Sequence, residues 1–240
     1  MKIHCGFLRI ASGLLIGLAI VATSSSQTVP EARLRIAKAY GFQSWDQVEQ
    51  LRFTFNVQRG KDHLARSWVW ETKPDRVSFA GVDKQGKPVK LTYLRSEMGT
   101  PPAEQTKRID ADFINDQYWL LFPFHVAWDQ AAMVEDTGLH KLPISPGSAR
   151  RIVVTYPPSG GYTPGDIYEL FVGGDGRIVQ WIYRGGGAAK PTLVATWEEY
   201  RHLGPLMVSL NHRGAERNFR VWFTDVAVKL VGADGWIAAK

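Results

Sequence analysis

Leu51-Arg52-Phe53-Thr54-Phe55-Asn56-Val57 alternates apolar and polar residues without a break. Successive side chains of a strand point to opposite faces, so this segment reads as a half-buried strand with an aromatic inner face. The pattern recurs downstream. Leu64 to Glu71 sets Trp68 and Trp70 on one face, and Arg76 to Val82 sets Val77 with Phe79. After an Asp83-Lys84-Gln85-Gly86 turn, Val89, Leu91 and Tyr93 continue the alternation. Connections this short forbid parallel crossovers, so the strands form an antiparallel meander. So apolar a sheet must close on itself, take a helical lid, or hold an apolar ligand.

The middle of the chain departs from this pattern. Glu97 to Pro102 reads as a polar loop, and Ile109 to Phe122 as a helix that Pro123 stops. Phe113, Tyr118, Trp119, Leu120, Leu121 and Phe122 make the end of that helix apolar, which suits a lid. A shorter helix covers Glu31 to Tyr40 and stops at Gly41, with Leu34, Ile36, Ala37 and Tyr40 on one side and Arg33, Arg35 and Lys38 mostly on the other. Ser44 to Gln47 has capping-box spacing, with Trp45 and Val48 tucked against the sheet.

Strands return at Arg151 to Tyr156, Asp166 to Val172, Arg177 to Tyr183, Thr192 to Tyr200, Leu206 to Asn211, Asn218 to Thr224 and Val226 to Val231. Placing Gly174-Asp175 at a two-residue hairpin turn opposes Glu169 to Gln180 and Tyr168 to Trp181. The expected fold class is mainly β (α+β), a large curved antiparallel sheet under a helical lid.

At the N-terminus, Lys2 and Arg9 precede an apolar run from Ile10 to Ala22 and a cleavage-like Ala22-Thr23-Ser24 triplet. This is the pattern of a secretory signal peptide over residues 1–24, too short and too rich in Gly and Ser for a comfortable membrane span. An uncleaved anchor is the alternative. Residues 25–240 then form a single domain, periplasmic or secreted, since nothing resembling a linker divides them. Cys5 is the only cysteine and precedes the apolar run, so cleavage leaves no thiol for catalysis, metal binding or a disulfide. The formal charge of +6 falls to +4 without Lys2 and Arg9, as 27 basic against 23 acidic residues remain. The excess is scattered. It suits transient contact with an anionic membrane surface and speaks against nucleic-acid binding.

Catalytic and cofactor motifs fail in detail. In Arg184-Gly185-Gly186-Gly187-Ala188-Ala189-Lys190, Pro191 stands where a phosphate loop needs Ser or Thr, and no helix follows. Ser159-Gly160-Gly161 lacks the nucleophile-elbow context. Asp110, Asp112 and Asp116 lack the spacing of a calcium loop and read as a solvated helix face. His63, His125, His140, His202 and His212 show no metal-ligand spacing, although His125 and Asp129 suit a turn hydrogen bond. No catalytic, metal or cofactor residue is therefore assigned, and the chain reads as a binding protein rather than an enzyme. Histidines at the mouth of a cavity, His125, His202 or His212, are what an enzyme reading would require.

The aromatic residues remain. Phe53, Phe55, Trp68, Trp70, Phe79 and Tyr93 belong to the first strands; Trp119 and Phe122 to the helix; Tyr168, Trp181, Trp197 and Trp222 to the later strands. Tryptophan is hard to bury fully and its N–H needs a partner, so nine in one chain suit an apolar cavity as well as a dense core.

Three stretches carry a family likeness: Ala39-Tyr40-Gly41-Phe42-Gln43-Ser44-Trp45 with Leu51 to Phe55, Tyr118-Trp119-Leu120-Leu121-Phe122-Pro123-Phe124, and Trp197-Glu198-Glu199-Tyr200 with Leu203-Gly204-Pro205-Leu206. With the order of elements over residues 31–231, they resemble the lipoprotein-carrier (LolA-like) superfamily. The resemblance implies an open half-barrel wrapped over helices, an apolar cavity, and binding of a lipid or lipoprotein acyl chain, with an envelope protein as a possible second partner. Carriers of that superfamily close their lid with a cavity arginine. Arg66, on the face of Leu64, Trp68 and Trp70, is the candidate here for such a lid latch. Its charge on an apolar face demands a partner. The rival reading is an envelope sensor or protein-interaction module without cargo.

Overall fold

The computed structural model describes residues 31–83, 85–99 and 102–240; the expected signal peptide, with Cys5, lies outside them. In chain order the elements are α1 (Glu31–Ala39), β1 (Val48–Arg59), β2 (Asp62–Glu71), β3 (Arg76–Val82), β4 (Pro88–Leu94), α2 (Glu104–Trp128), β5 (Met133–Lys141), β6 (Ser148–Thr155), β7 (Ile167–Val172) and β8 (Ile178–Arg184). They are followed by β9 (Leu193–Thr196), β10 (Glu198–Leu203), β11 (Leu206–Arg213), β12 (Phe219–Leu230) and β13 (Ile237–Ala238). The chain is mainly β, but as two antiparallel sheets rather than one. The larger has the order β10-β11-β12-β1-β2-β3-β4 with β13 beside β12, the smaller β5-β6-β7-β8-β9, and neither closes into a barrel.

The strand expected over Thr192 to Tyr200 marks the join. It breaks at Trp197, between β9 in the smaller sheet and β10 in the larger. Glu199 takes φ 54°, and a single bridge, Ala195 to Gly214, ties the sheets there. The two strands expected at Asn218 to Thr224 and Val226 to Val231 are instead one, β12, with a bulge where Asp225 takes φ 54°. β5 escaped the sequence reading because Gly138, at φ 85°, breaks its pairing and its alternation.

The β7–β8 hairpin also has a different register. Gly176 N donates to Gly173 O at 3.0 Å and Gly176 takes φ 82°, which is a longer turn with the positive-φ glycine at its end. Together with a bulge at Val179, between the Phe171–Gln180 and Val172–Ile178 pairs, this pairs Tyr168 with Tyr183 and Leu170 with Trp181, not Tyr168 with Trp181 or Glu169 with Gln180.

α2 passes through Pro123 instead of stopping there. An interior proline costs about 3 kcal/mol, whereas burying a Leu, Phe or Val side chain contributes about 1.5–3 kcal/mol. Phe124 and Val126, just beyond the proline, are fully buried. Phe124 packs against Tyr40, Phe42, Trp45 and Trp128, so continuation of the helix outweighs the lost hydrogen bond.

α1 turns Ile36, Ala37 and Tyr40 inward as the sequence suggests, but exchanges two positions, with Arg33 buried and Leu34 exposed. Arg33 Nη1 and Nη2 donate to the carbonyls of Asp129 and Ala132 at 3.1 and 2.7 Å, placing a cation just past the C-terminus of α2. A 3₁₀ turn over Phe42–Gln47 follows, capped by the backbone of Gly41 and not by a Ser44 capping box. Gly41 takes φ 75°, and a Cβ there would lie 2.3 Å from Pro205 O. The conformation and the close approach each exclude a side chain.

His212, on β11, is fully buried between Trp119, Trp197 and Phe223. Its Nδ1 lies 3.2 Å from Thr196 O, while Nε2 has no partner. Burial lowers its pKa to about 3, opposed by the carbonyls of Thr196 and Trp119.

Two outcomes are expected. Gly41→Ala lowers the urea midpoint by the equivalent of about 1–3 kcal/mol or more, because strain and clash add. For His212, the folded chain refuses a proton that the unfolded chain accepts below about pH 6.5, so stability falls as pH drops toward 3. Relative to wild type, His212→Gln loses less stability between pH 6.5 and 4, by about 3 kcal/mol in paired denaturation curves.

Candidate functional site

The aromatic residues singled out from sequence mostly meet along α2. Trp68 lies 4.8 Å from Phe79 and 5.3 Å from Phe113 of the helix. On the opposite flank Phe122 lies 4.4 Å from Tyr168 and 5.3 Å from Trp181, and Trp119 lies 4.8 Å from Trp181. Trp197 packs on Trp181, Phe53 and Phe55 pack on Phe223, and Trp70 reaches Phe113. The space between the sheets is thus filled by the side chains of α2. Trp222 stands apart on the other face of the large sheet, stacked on His63 at 5.1 Å with Arg220 over its ring.

The acidic residues of α2 are not a solvated face. Asp110 and Asp116 are buried. Asp116 accepts from Arg66 Nε at 2.7 Å, from Arg66 Nη2, and from Trp68 Nε1 at 2.9 Å. Asp112 takes the remaining guanidinium nitrogen at 3.0 Å. Burial raises the Asp116 carboxyl to about 6 against the pull of Arg66. Asp110 accepts from Tyr93 OH at 3.0 Å, Arg95 Nε at 2.8 Å and Tyr162 OH. Arg66 and Tyr93, both chosen from sequence, therefore tie the large sheet to α2 through carboxylates.

An open groove of about 630 Å³ runs along another side of α2. It is roomy enough for a small ligand. Trp45 and Trp70 form one wall, Tyr118 and Trp128 of α2 the floor, and Tyr156 and Tyr162 the far side. Trp45 lies 4.8 Å from Trp128 and 5.7 Å from Trp70, so the three indoles form a continuous surface. The loop Pro157 to Gly165 overhangs it, closed at its base by Gly165 N donating to Pro157 O at 2.7 Å. Gly160 and Gly161 take positive φ, and Tyr162, half-exposed, bonds Asp110 and lies 3.4 Å from Arg95 Nη2.

Asp129 ends α2 on the groove wall. Its Oδ2 accepts from Tyr156 OH at 2.7 Å and Tyr118 OH at 3.2 Å, and lies 3.3 Å from His125 Nδ1. Burial works against the charge, but these bonds hold the carboxyl below its ordinary pKa. The His125–Asp129 bond expected from sequence is present, while His202 is exposed and His212 is in the core, so the three histidines occupy three separate environments. Trp45, Tyr118, Trp128, Tyr156 and Tyr162 went unassigned. Ending the helix at Pro123 hid the face shared by Tyr118, His125 and Trp128; the lone tyrosine in Pro157-Pro158-Ser159-Gly160-Gly161-Tyr162 was the readable signal.

Neither a protein-family model nor a curated protein matches this chain. Among solved structures it is similar to the crystal structure of a DUF1329 family protein from Desulfovibrio piger ATCC 29098, at 10% identity and a TM-score of 0.45 over 85% of this chain and 92% of that one.

Removing one member of a buried ion pair strands the other and costs about 3–5 kcal/mol, whereas an apolar replacement of both is close to neutral. Arg66→Met is expected to lose stability on that scale in urea unfolding, and Arg66→Met with Asp116→Leu to recover part of it, since Trp68 Nε1 and Asp112 still lose their partners. Equal loss in the single and double variants would show that the pair itself contributes little.

Proposed function

We propose that this protein binds the hydrocarbon chain of a lipid or lipoprotein in the groove beside α2, as an exported envelope protein. The observation that carries the reading is the aromatic surface of Trp45, Trp70 and Trp128 facing open space in a groove of about 630 Å³. In this reading the bent sheets are the open half-barrel of the LolA-like resemblance, α2 is its lid, and Arg66 with Asp112 and Asp116 is the latch. Residues 1–24 serve as the export signal.

The energetics separate two modes. Burying about ten CH₂ groups at about 0.8 kcal/mol each gives about 8 kcal/mol, and association costs at least about 4 kcal/mol of that. The groove as it stands then holds a chain weakly. Sixteen CH₂ groups give about 13 kcal/mol, enough for micromolar binding, but a chain that long needs α2 or the Pro157 to Gly165 loop to shift. A carrier that must also release its cargo benefits from that coupling.

A filled interior favours a second reading, a protein-interaction module in which α2 is a permanent core element. One experiment separates the two. Native mass spectrometry and solvent extraction of the folded protein are expected to yield bound lipid, and a fluorescent C16 fatty acid to bind at micromolar concentration and more tightly to Arg66→Met, whose latch is broken. Absence of both extracted lipid and fatty-acid binding sinks the carrier reading and leaves the interaction module.

A further inference from the structure

The three donors of Asp129, Tyr156 OH, Tyr118 OH and His125 Nδ1, all converge on Oδ2. Among the described residues nothing donates to Oδ1. That oxygen is also absent from the buried unpaired atoms, and the side chain is 28% exposed, so Oδ1 keeps accessible surface on a residue that lines the groove.

Among the described residues no lysine or arginine side chain pairs with this carboxylate. Arg33 binds the backbone carbonyls of Asp129 and Ala132, and Arg95, also in the wall, is committed to Asp75 at 3.2 Å and Asp110 at 2.8 Å. With His125, which bonds Asp129, counted neutral, three carboxylates (Asp75, Asp110, Asp129) stand against two guanidiniums (Arg33, Arg95), an excess of one negative charge in a chain of formal charge +6. Aromatic faces attract cations, tryptophan most strongly, and quaternary ammonium groups are held in cages of such rings. An ionised carboxylate with a free oxygen, beside Trp45, Trp70, Trp128, Tyr118 and Tyr156, has that composition.

We propose that the groove is a cation site: it takes a quaternary or protonated amine, with the charge at Asp129 Oδ1 and the alkyl substituents against the indoles. Resting on the hydrocarbon reading above, this makes the cargo an amphiphile with an amine-bearing head. The same chemistry is met by a lipid headgroup and by a free alkylammonium ion, and the test distinguishes them. It also runs against the global charge, since a basic protein left to non-specific attraction prefers anions.

Four probes suffice, read by quenching of the groove tryptophans: decyltrimethylammonium, decyl sulfate and decyl maltoside, each below its micelle concentration, and tetramethylammonium without a tail. Decyltrimethylammonium is expected to bind at least tenfold more tightly than the maltoside. Asp129→Asn is expected to erase that preference while retaining tail binding, with circular dichroism confirming the fold. Trp45→Phe, which keeps a ring but weakens the cation–π contact, is expected to reduce the preference severalfold and serves as the readout should Asp129→Asn fail to fold. Equal binding of the three decyl probes, or a preference for the sulfate, overturns the cation site and leaves the hydrocarbon reading standing. Binding of tetramethylammonium with no gain from the decyl tail supports the cation site for a free amine and removes the hydrocarbon reading. Failure of every probe removes both.

Discussion

Two open sheets and one long helix have to bury one another. Neither sheet closes, so each leaves an aromatic face that water must not reach, and α2 supplies apolar surface to both. Phe113 is pressed against Trp68 and Trp70 of the larger sheet; Phe122 is pressed against Tyr168 and Trp181 of the smaller. Leu120, Leu121 and Phe122 are fully buried in succession, which a helix achieves only where it is covered on more than one side. The helix tolerates Pro123 because Phe124 beyond it is fully buried against Tyr40, Phe42 and Trp45.

Apolar contact is non-directional and does not by itself fix how a helix is rotated or how far it slides. The buried carboxylates do that. Asp116 meets Arg66 and Trp68 of β2, while Asp110 meets Tyr93 of β4 together with Arg95 and Tyr162. The spacing of these two anchors along α2 matches two places on the large sheet, so together they fix its position. Burying such groups costs several kcal/mol per ion, only partly repaid by pairing. Their contribution is therefore to position more than to stability.

The strands of the first meander were legible because one face is drier than the other, as Leu51 to Phe55 shows; Asn56, buried by its bonds to β12, is the exception. Arg66 was legible as a charge on an apolar face and Tyr93 only as an aromatic of the alternation; their carboxylate partners followed once α2 was in place. Local rules failed where tertiary packing overrode them. Pro123 stops an isolated helix but not one whose next residues are buried. Asp110 and Asp116 resemble any surface acid until the sheet brings donors to them. The division into two sheets rests on Trp197 and Glu199, where nothing local marks a strand that changes partners. The groove was hidden by the same proline, because its floor lies on both sides of that residue.

The join between the sheets has a mechanical consequence. On one margin they are fastened by the Ala195–Gly214 bridge, by Ala215 N donating to Val194 O, and by Arg213 N donating to Thr196 Oγ1. On the margin of the groove, among the described residues, the side chain of Tyr162 reaches across to Arg95 and to Asp110 of α2. Such a molecule behaves like a book bound along one spine, with α2 laid inside as a marker. A few degrees of rotation at the spine separates the free edges by several times the displacement at the spine itself. The compliance of the whole protein is thereby concentrated in one margin, and a small force applied to the overhanging loop acts with the full width of a sheet as its lever arm.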